Sequence, residues 1–145
     1  MDNLSKLAFM AADVLLKNET EKDVALVLSN KASSLDTDRK HQKSIENTTN
    51  FDPSPAAFRD TLPNICLGEI SIKHELYSEN AFFVHDKFNP SALIDYANSL
   101  LGENSAEKVL SGWVDFENGK YDAFLYVVGK NGTFAHTKEE LTRLY

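Results

Sequence analysis

The chain has 145 residues, with 15 Lys and Arg against 22 Asp and Glu, and its formal charge of −7 at neutral pH argues against phosphate backbones and anionic membrane surfaces as partners. With 42% hydrophobic residues, including nine Phe, five Tyr and one Trp, it has the material for one packed domain over 1–145, which argues against wholesale disorder. Its one cysteine, Cys66, excludes an internal disulfide and a thiolate metal cluster and fits a reducing compartment.

Lys6 and Asp13 interrupt the only apolar stretch near the N-terminus, and no segment reaches the about 20 apolar residues of a bilayer span, so a cytoplasmic location is expected. Four Asn-x-Ser/Thr sequons, at Asn3, Asn18, Asn47 and Asn131, then read as coincidences of a chain rich in Asn, Ser and Thr. Leu4, Leu7, Ala8, Ala11, Val14 and Leu15 follow helical spacing, with Asp2 or Asn3 placed to cap the start and 17–20 to end it. Residues 24–28 form a short continuous apolar run, as a strand covered on both faces requires, bounded by polar Ser29 and Asn30.

Residues 36–47 are almost wholly polar, acids first and bases behind, and predict a solvent-facing helix aligned with its dipole. Pro53 and Pro55 mark 50–55 as loop. Helical spacing returns over 56–75, with Pro63 expected to kink or restart the helix. Residues 81–84 predict a second apolar strand, and Asn89-Pro90 reads as N-cap and first residue of a helix that Gly102 stops.

Two further strands, 108–116 and 122–128, are joined through Asn118-Gly119, a strong hairpin signal. Thr137 and Glu140 have capping-box spacing and open a last short helix. Strands separated by helices argue parallel pairing, and the hairpin adds an antiparallel neighbour. The expectation is a layered α/β domain with a mixed, mostly parallel sheet of about four strands.

Chemistry-bearing constellations are sparse. Cys66 falls in a predicted helix interior with no basic partner and reads as a buried, inert thiol. His41, His74, His85 and His136 are scattered without metal-ligand spacing, and Asp36 and Asp38 are better explained by helix capping than by a cation. The six glycines form neither a dinucleotide fingerprint nor a phosphate loop, and 129–132 reads as a turn. No cofactor and no metal are expected. Phe82, Phe83, Phe124 and Tyr126 are core or interface residues on strand spacing.

Several stretches resemble one family. Ser54-Pro55, then Thr61-Leu62-Pro63-Asn64-Ile65-Cys66-Leu67-Gly68, then Ser78-Glu79-Asn80-Ala81-Phe82-Phe83, are similar to the part of β-ketoacyl-acyl-carrier-protein synthases that leads into the catalytic cysteine. There a Ser-Pro loop precedes a Leu-Pro-Asn helix and a Gly-Pro-Asn turn. Residues 24–34 resemble the strand that ends in that family's glycine- and serine-rich loop. Ala106 to Trp113 resembles the strand usually written Ala-Asp-x-x-Leu-Ala-Gly-Gly. The resemblance covers nearly the whole chain and implies the N-terminal half of a thiolase-like fold.

It also implies where the chemistry should be. In the family the nucleophilic cysteine stands at the head of the helix after the strand that follows the turn, and that place falls at about Lys87, so no catalytic residue is assigned. Cys66 lies about twenty residues too early. The family's two further catalytic residues come from a second half of the fold, so the resemblance implies that these 145 residues alone are not competent for condensation. Condensing enzymes dimerise through the strand before the nucleophile, which makes Asn80, Ala81, Phe82, Phe83, Val84 and His85 the expected interface.

Three readings follow. The first is a non-catalytic ketosynthase-like subunit, comparable to a chain-length factor, working as a homodimer or beside a full-length ketosynthase in fatty-acid, aryl-polyene or polyketide assembly. The second is a 3-oxoacyl synthase component active only with a partner chain. The third is a thiolase-fold scaffold without acyl chemistry. Any contact with acyl-carrier protein is expected to be indirect, because a −7 chain without a basic patch is a poor dock for an acidic carrier.

Overall fold

A computed structural model describes residues 1–46, 62–130, 132 and 134–145. The elements in chain order are α1 (Asn3–Leu16), β1 (Val24–Asn30), α2 (Leu35–Glu46), α3 (Ile65–His74), β2 (Asn80–Val84), α4 (Pro90–Gly102), β3 (Lys108–Glu117), β4 (Lys120–Val128) and α5 (Lys138–Leu144). The expected order of helices and strands is the observed one. No helix among the described residues is long and apolar enough to cross a membrane.

The four strands form one mixed sheet in the order β2-β1-β3-β4. β1 pairs in parallel with β2 on one side and with β3 on the other, and β3 pairs antiparallel with β4. All seven residues of β1 are buried, as expected of a strand flanked and covered on both faces. Alternation along β1 then sorts the core into two layers. Val24, Leu26 and Leu28 pack with Leu4, Ala8, Ala12 and Leu16 of α1 and Cys66, Leu67 and Ile70 of α3. Ala25 and Val27 face the other way, onto Leu93, Ala97 and Leu100 of α4.

Local signals place the element ends. The Asp2 carboxylate accepts the Ser5 amide at 2.8 Å and starts α1. The Asn89 side chain accepts the Ala92 amide at 3.3 Å with Pro90 in the first turn of α4, and Thr137 caps α5 through the Glu140 amide at 3.2 Å. Asn118 and Gly119 have φ of 52° and 75°, the pair of positive angles that a two-residue hairpin turn matched to strand twist needs.

Three expectations need correction. Ser29 and Asn30 do not bound the first strand but belong to it, fully buried, because Ser29 Oγ donates to the Gly112 carbonyl at 2.9 Å and Asn30 bonds Ser33 through both side-chain atoms. Cys66 is not mid-helix: α3 starts at Ile65, immediately after Pro63-Asn64, so the thiol lies in its first turn. α4, by contrast, does end at Gly102 as expected, and the left-handed residue that then turns the chain is Asn104, at φ 56°, with Ser105 N donating to Leu100 O and Asn104 N to Leu101 O. α2 is not wholly solvent-facing, since Thr37 is buried and its hydroxyl donates to Asp2. The expected loop at 50–55, the first part of the 56–75 helix and Asn131 of the 129–132 turn lie outside the described residues.

Candidate functional site

The carboxyl ends of parallel strands are where an open α/β sheet offers its connecting loops to a ligand, above all where neighbouring strands send their chains in opposite directions. Here that divergence lies between β1, which leads toward β2, and β3, which turns back into β4. Asp115, near the end of β3, spans it: one carboxylate oxygen accepts the backbone amides of Lys31 at 3.2 Å and Ala32 at 2.9 Å. Next to this bridge, the His85 amide donates to the Asn30 carbonyl at 2.9 Å, which fixes the start of the β2–α4 loop.

That loop carries the predicted position. Lys87 is exposed, two residues ahead of the N-cap Asn89, and makes no ion pair among the described residues. His85, Asp86, Lys87 and Asn89 line a cleft of about 570 Å³ whose far wall comes from Lys138 and Thr142 of α5. His85 stacks on Phe83, ring centroids 6.1 Å apart, and its Nε2 is buried without a hydrogen-bond partner.

The remaining loop residue, Phe88, anchors an aromatic cluster. Its ring centroid lies 4.7 Å from Tyr145, 5.6 Å from Phe124 and 6.3 Å from Trp113, in tilted or edge-on arrangements that suit aromatic quadrupoles. The cluster forms one side of an adjoining cleft of about 360 Å³ that shares Asp86, Lys87 and Thr142 with the first. Tyr145 donates its hydroxyl to Asp122. Partial burial, that hydrogen bond and the charges of Asp122 and Asp115 push its phenol up to about 12.

Cys66 lies elsewhere. It packs in the layer of α1 and α3, on the opposite face of the sheet from Phe88 and α4. Its Sγ donates to the Pro63 carbonyl at 3.2 Å. Burial, followed by the nearby Asp2 charge, pushes the thiol up to about 12. Being in a first helical turn does not activate it, because desolvation of a thiolate outweighs the helix-end field.

Asn80 to Val84 form an edge strand, hydrogen-bonded to β1 on one side only. Phe82 packs toward α1 and α3, Phe83 toward α4 with Tyr96 at 5.2 Å, and Val84 is 53% exposed. The structure thus brings His85 and Lys87 into one cleft, leaves Asn80 to Val84 on the adjoining edge, and keeps Cys66 apart. Among the described residues no group of three or more His, Cys, Asp or Glu could hold a metal ion. Lys138 and Thr142 carry no local sequence signal for this site, since they reach it only because the last helix packs back against α4.

A four-stranded mixed sheet with helices on both faces, and loops gathered at the ends of its parallel strands, is half of a thiolase-like fold. Solved structures of ketosynthase type share it. The ishigamide ketosynthase/chain length factor matches with a TM-score of 0.66 and 26% identity, over 79% of this chain and 34% of that one. A ketosynthase in complex with its chain length factor from Xenorhabdus doucetiae matches with a TM-score of 0.62 and 16% identity, over 81% of this chain and 47% of that one. The chain therefore spans less than half the length of either. No protein-family model and no curated protein matches it.

Proposed function

We propose that the chain is a non-catalytic ketosynthase-like subunit, comparable in role to a chain length factor, that supports acyl-chain condensation in fatty-acid, aryl-polyene or polyketide assembly by pairing with a full-length ketosynthase. The observation that carries this reading is the β2–α4 loop. By the resemblance, the place of the nucleophilic cysteine falls at about Lys87, which is exposed and has no ion pair among the described residues, and an ammonium group there would offer no thiolate. The one thiol in the sequence, Cys66, is buried on the other face of the sheet with its ionisation suppressed, which supports a role without acyl transfer to this chain. The likeness to chains of ketosynthase/chain length factor structures supports the same reading.

The test is to incubate the chain, with and without a full-length ketosynthase from the same cell, with malonyl- and acyl-loaded carrier protein. Intact mass should show no acyl group on this chain, and co-purification should show the two proteins together. Acylation of Cys66 would replace this reading with that of a synthase component completed by its partner. Failure to pair with any acyl-synthesis protein would reduce the chain to a scaffold of the same fold.

A further inference from the structure

We infer that the cleft between the β2–α4 loop and α5 binds the phosphate group of a small phosphorylated molecule, with Lys87 and Lys138 as its cationic walls. The inference rests on the chemistry of the cleft and stands whether or not the chain pairs with a ketosynthase. Among the described residues Arg39, Lys40, Lys108 and Arg143 pair with carboxylates, while Lys87 and Lys138, like several other surface lysines, have no ion-pair partner. What sets these two apart is that they line one cleft.

The charges facing the cleft favour an anion. Among the described residues the only carboxylate on its wall is Asp86, which is exposed and bridges neither lysine, so two ammonium groups stand against one carboxylate. His85 is also on the wall, with its Nε2 buried and without a hydrogen-bond partner among the described residues. Ser91, also on the wall, lies in the first turn of the 13-residue α4, where its amide has no acceptor within the helix, Pro90 having no N–H and the Ala92 amide being taken by Asn89. Separate ammonium point charges, with no arginine fork among them, suit a multiply charged tetrahedral oxyanion better than a planar carboxylate. The volume of about 570 Å³ is in the range of small-molecule sites and far exceeds a phosphate ion, so the phosphate is carried by a larger molecule.

The test uses the whole chain and inorganic phosphate as the probe, with acetate and chloride at matched ionic strength as controls, followed by amide NMR and calorimetry. Phosphate should produce saturable shifts confined to residues 85–92 and 138–142. Lys87→Gln and Lys138→Gln should each weaken binding about tenfold, the loss expected of one charged hydrogen bond. Both lysines are exposed, so the variants should fold as the parent does, and Lys120→Gln at the hairpin should bind like wild type. Absence of a saturable phosphate response, unchanged binding in the double variant, or equal binding of acetate would each overturn the assignment.

Discussion

Gly112 shows what one residue does to hold the sheet that carries the cleft. It has φ +144°, and a Cβ there would sit 2.0 Å from the Phe124 carbonyl oxygen and 2.9 Å from the Leu125 Cα. Both obstacles are backbone of the adjacent strand, so neither can rotate away, and the angle itself disfavours any L side chain. Gly112→Ala should therefore destabilise the protein by about 3–5 kcal/mol, read from urea unfolding midpoints. A loss under about 1 kcal/mol would mean that β3 and β4 can move apart freely.

Cys66 is governed by burial in a different sense. Its thiol titrates near 9.0 when solvated and is pushed up to about 12 when folded. The unfolded chain thus releases this proton first as pH rises, and the stability contributed by the neutral thiol, complete below about 9, is lost progressively toward about 12. Over that window the wild type should lose up to about 1.4 kcal/mol per pH unit more than Cys66→Ala. Tyr126 and Tyr145, whose ionisation burial also opposes, are common to both proteins and cancel. Parallel curves for the two proteins would show that the thiol is more solvated than its packing indicates.

At the scale of elements, what was legible in the sequence is what short-range chemistry decides. Asp2, Asn89 and Thr137 each cap a helix through an amide three residues on, and Asn118-Gly119 turns the hairpin, because these outcomes depend on neighbours along the chain. Two of the misreadings have the opposite cause. Ser29 looks like a strand boundary until Gly112, 83 residues on, accepts its hydroxyl. Thr37 looks solvent-facing until Asp2, 35 residues earlier, accepts its hydroxyl. Glycine is the more common residue at a helix stop, yet the left-handed turn after α4 is taken by Asn104, which tolerates that conformation. The candidate site divides along the same line: His85 and Lys87 follow from the strand-loop-helix pattern, whereas the wall formed by Lys138 and Thr142 depends on where α5 docks.

For the whole molecule, the proposed pairing calls for one of the two sheet edges. β2 and β4 both end the sheet, but β4 opens with charged Lys120 and Asp122, the usual defence of an exposed edge, while β2 after Asn80 is Ala-Phe-Phe-Val. Glu79 O and His85 N both bond toward β1, so by alternation the amides and carbonyls of Asn80, Phe82 and Val84 face outward. Five residues of strand are too little for a stable interface by themselves, since one of standard size buries about 1,200–2,000 Å². Beside the strand, however, Phe83, Ala92, Tyr96 and Ser99 line a groove of about 420 Å³ that extends the surface. Val84→Pro removes one outward amide and none of the internal ladder, so it should leave the unfolding midpoint close to wild type while abolishing association with a second copy or a ketosynthase. Val84→Ala, which keeps the amide, should associate. Sedimentation showing that the proline variant assembles as well as wild type would rule out pairing through β2 and leave the fold and the phosphate cleft untouched.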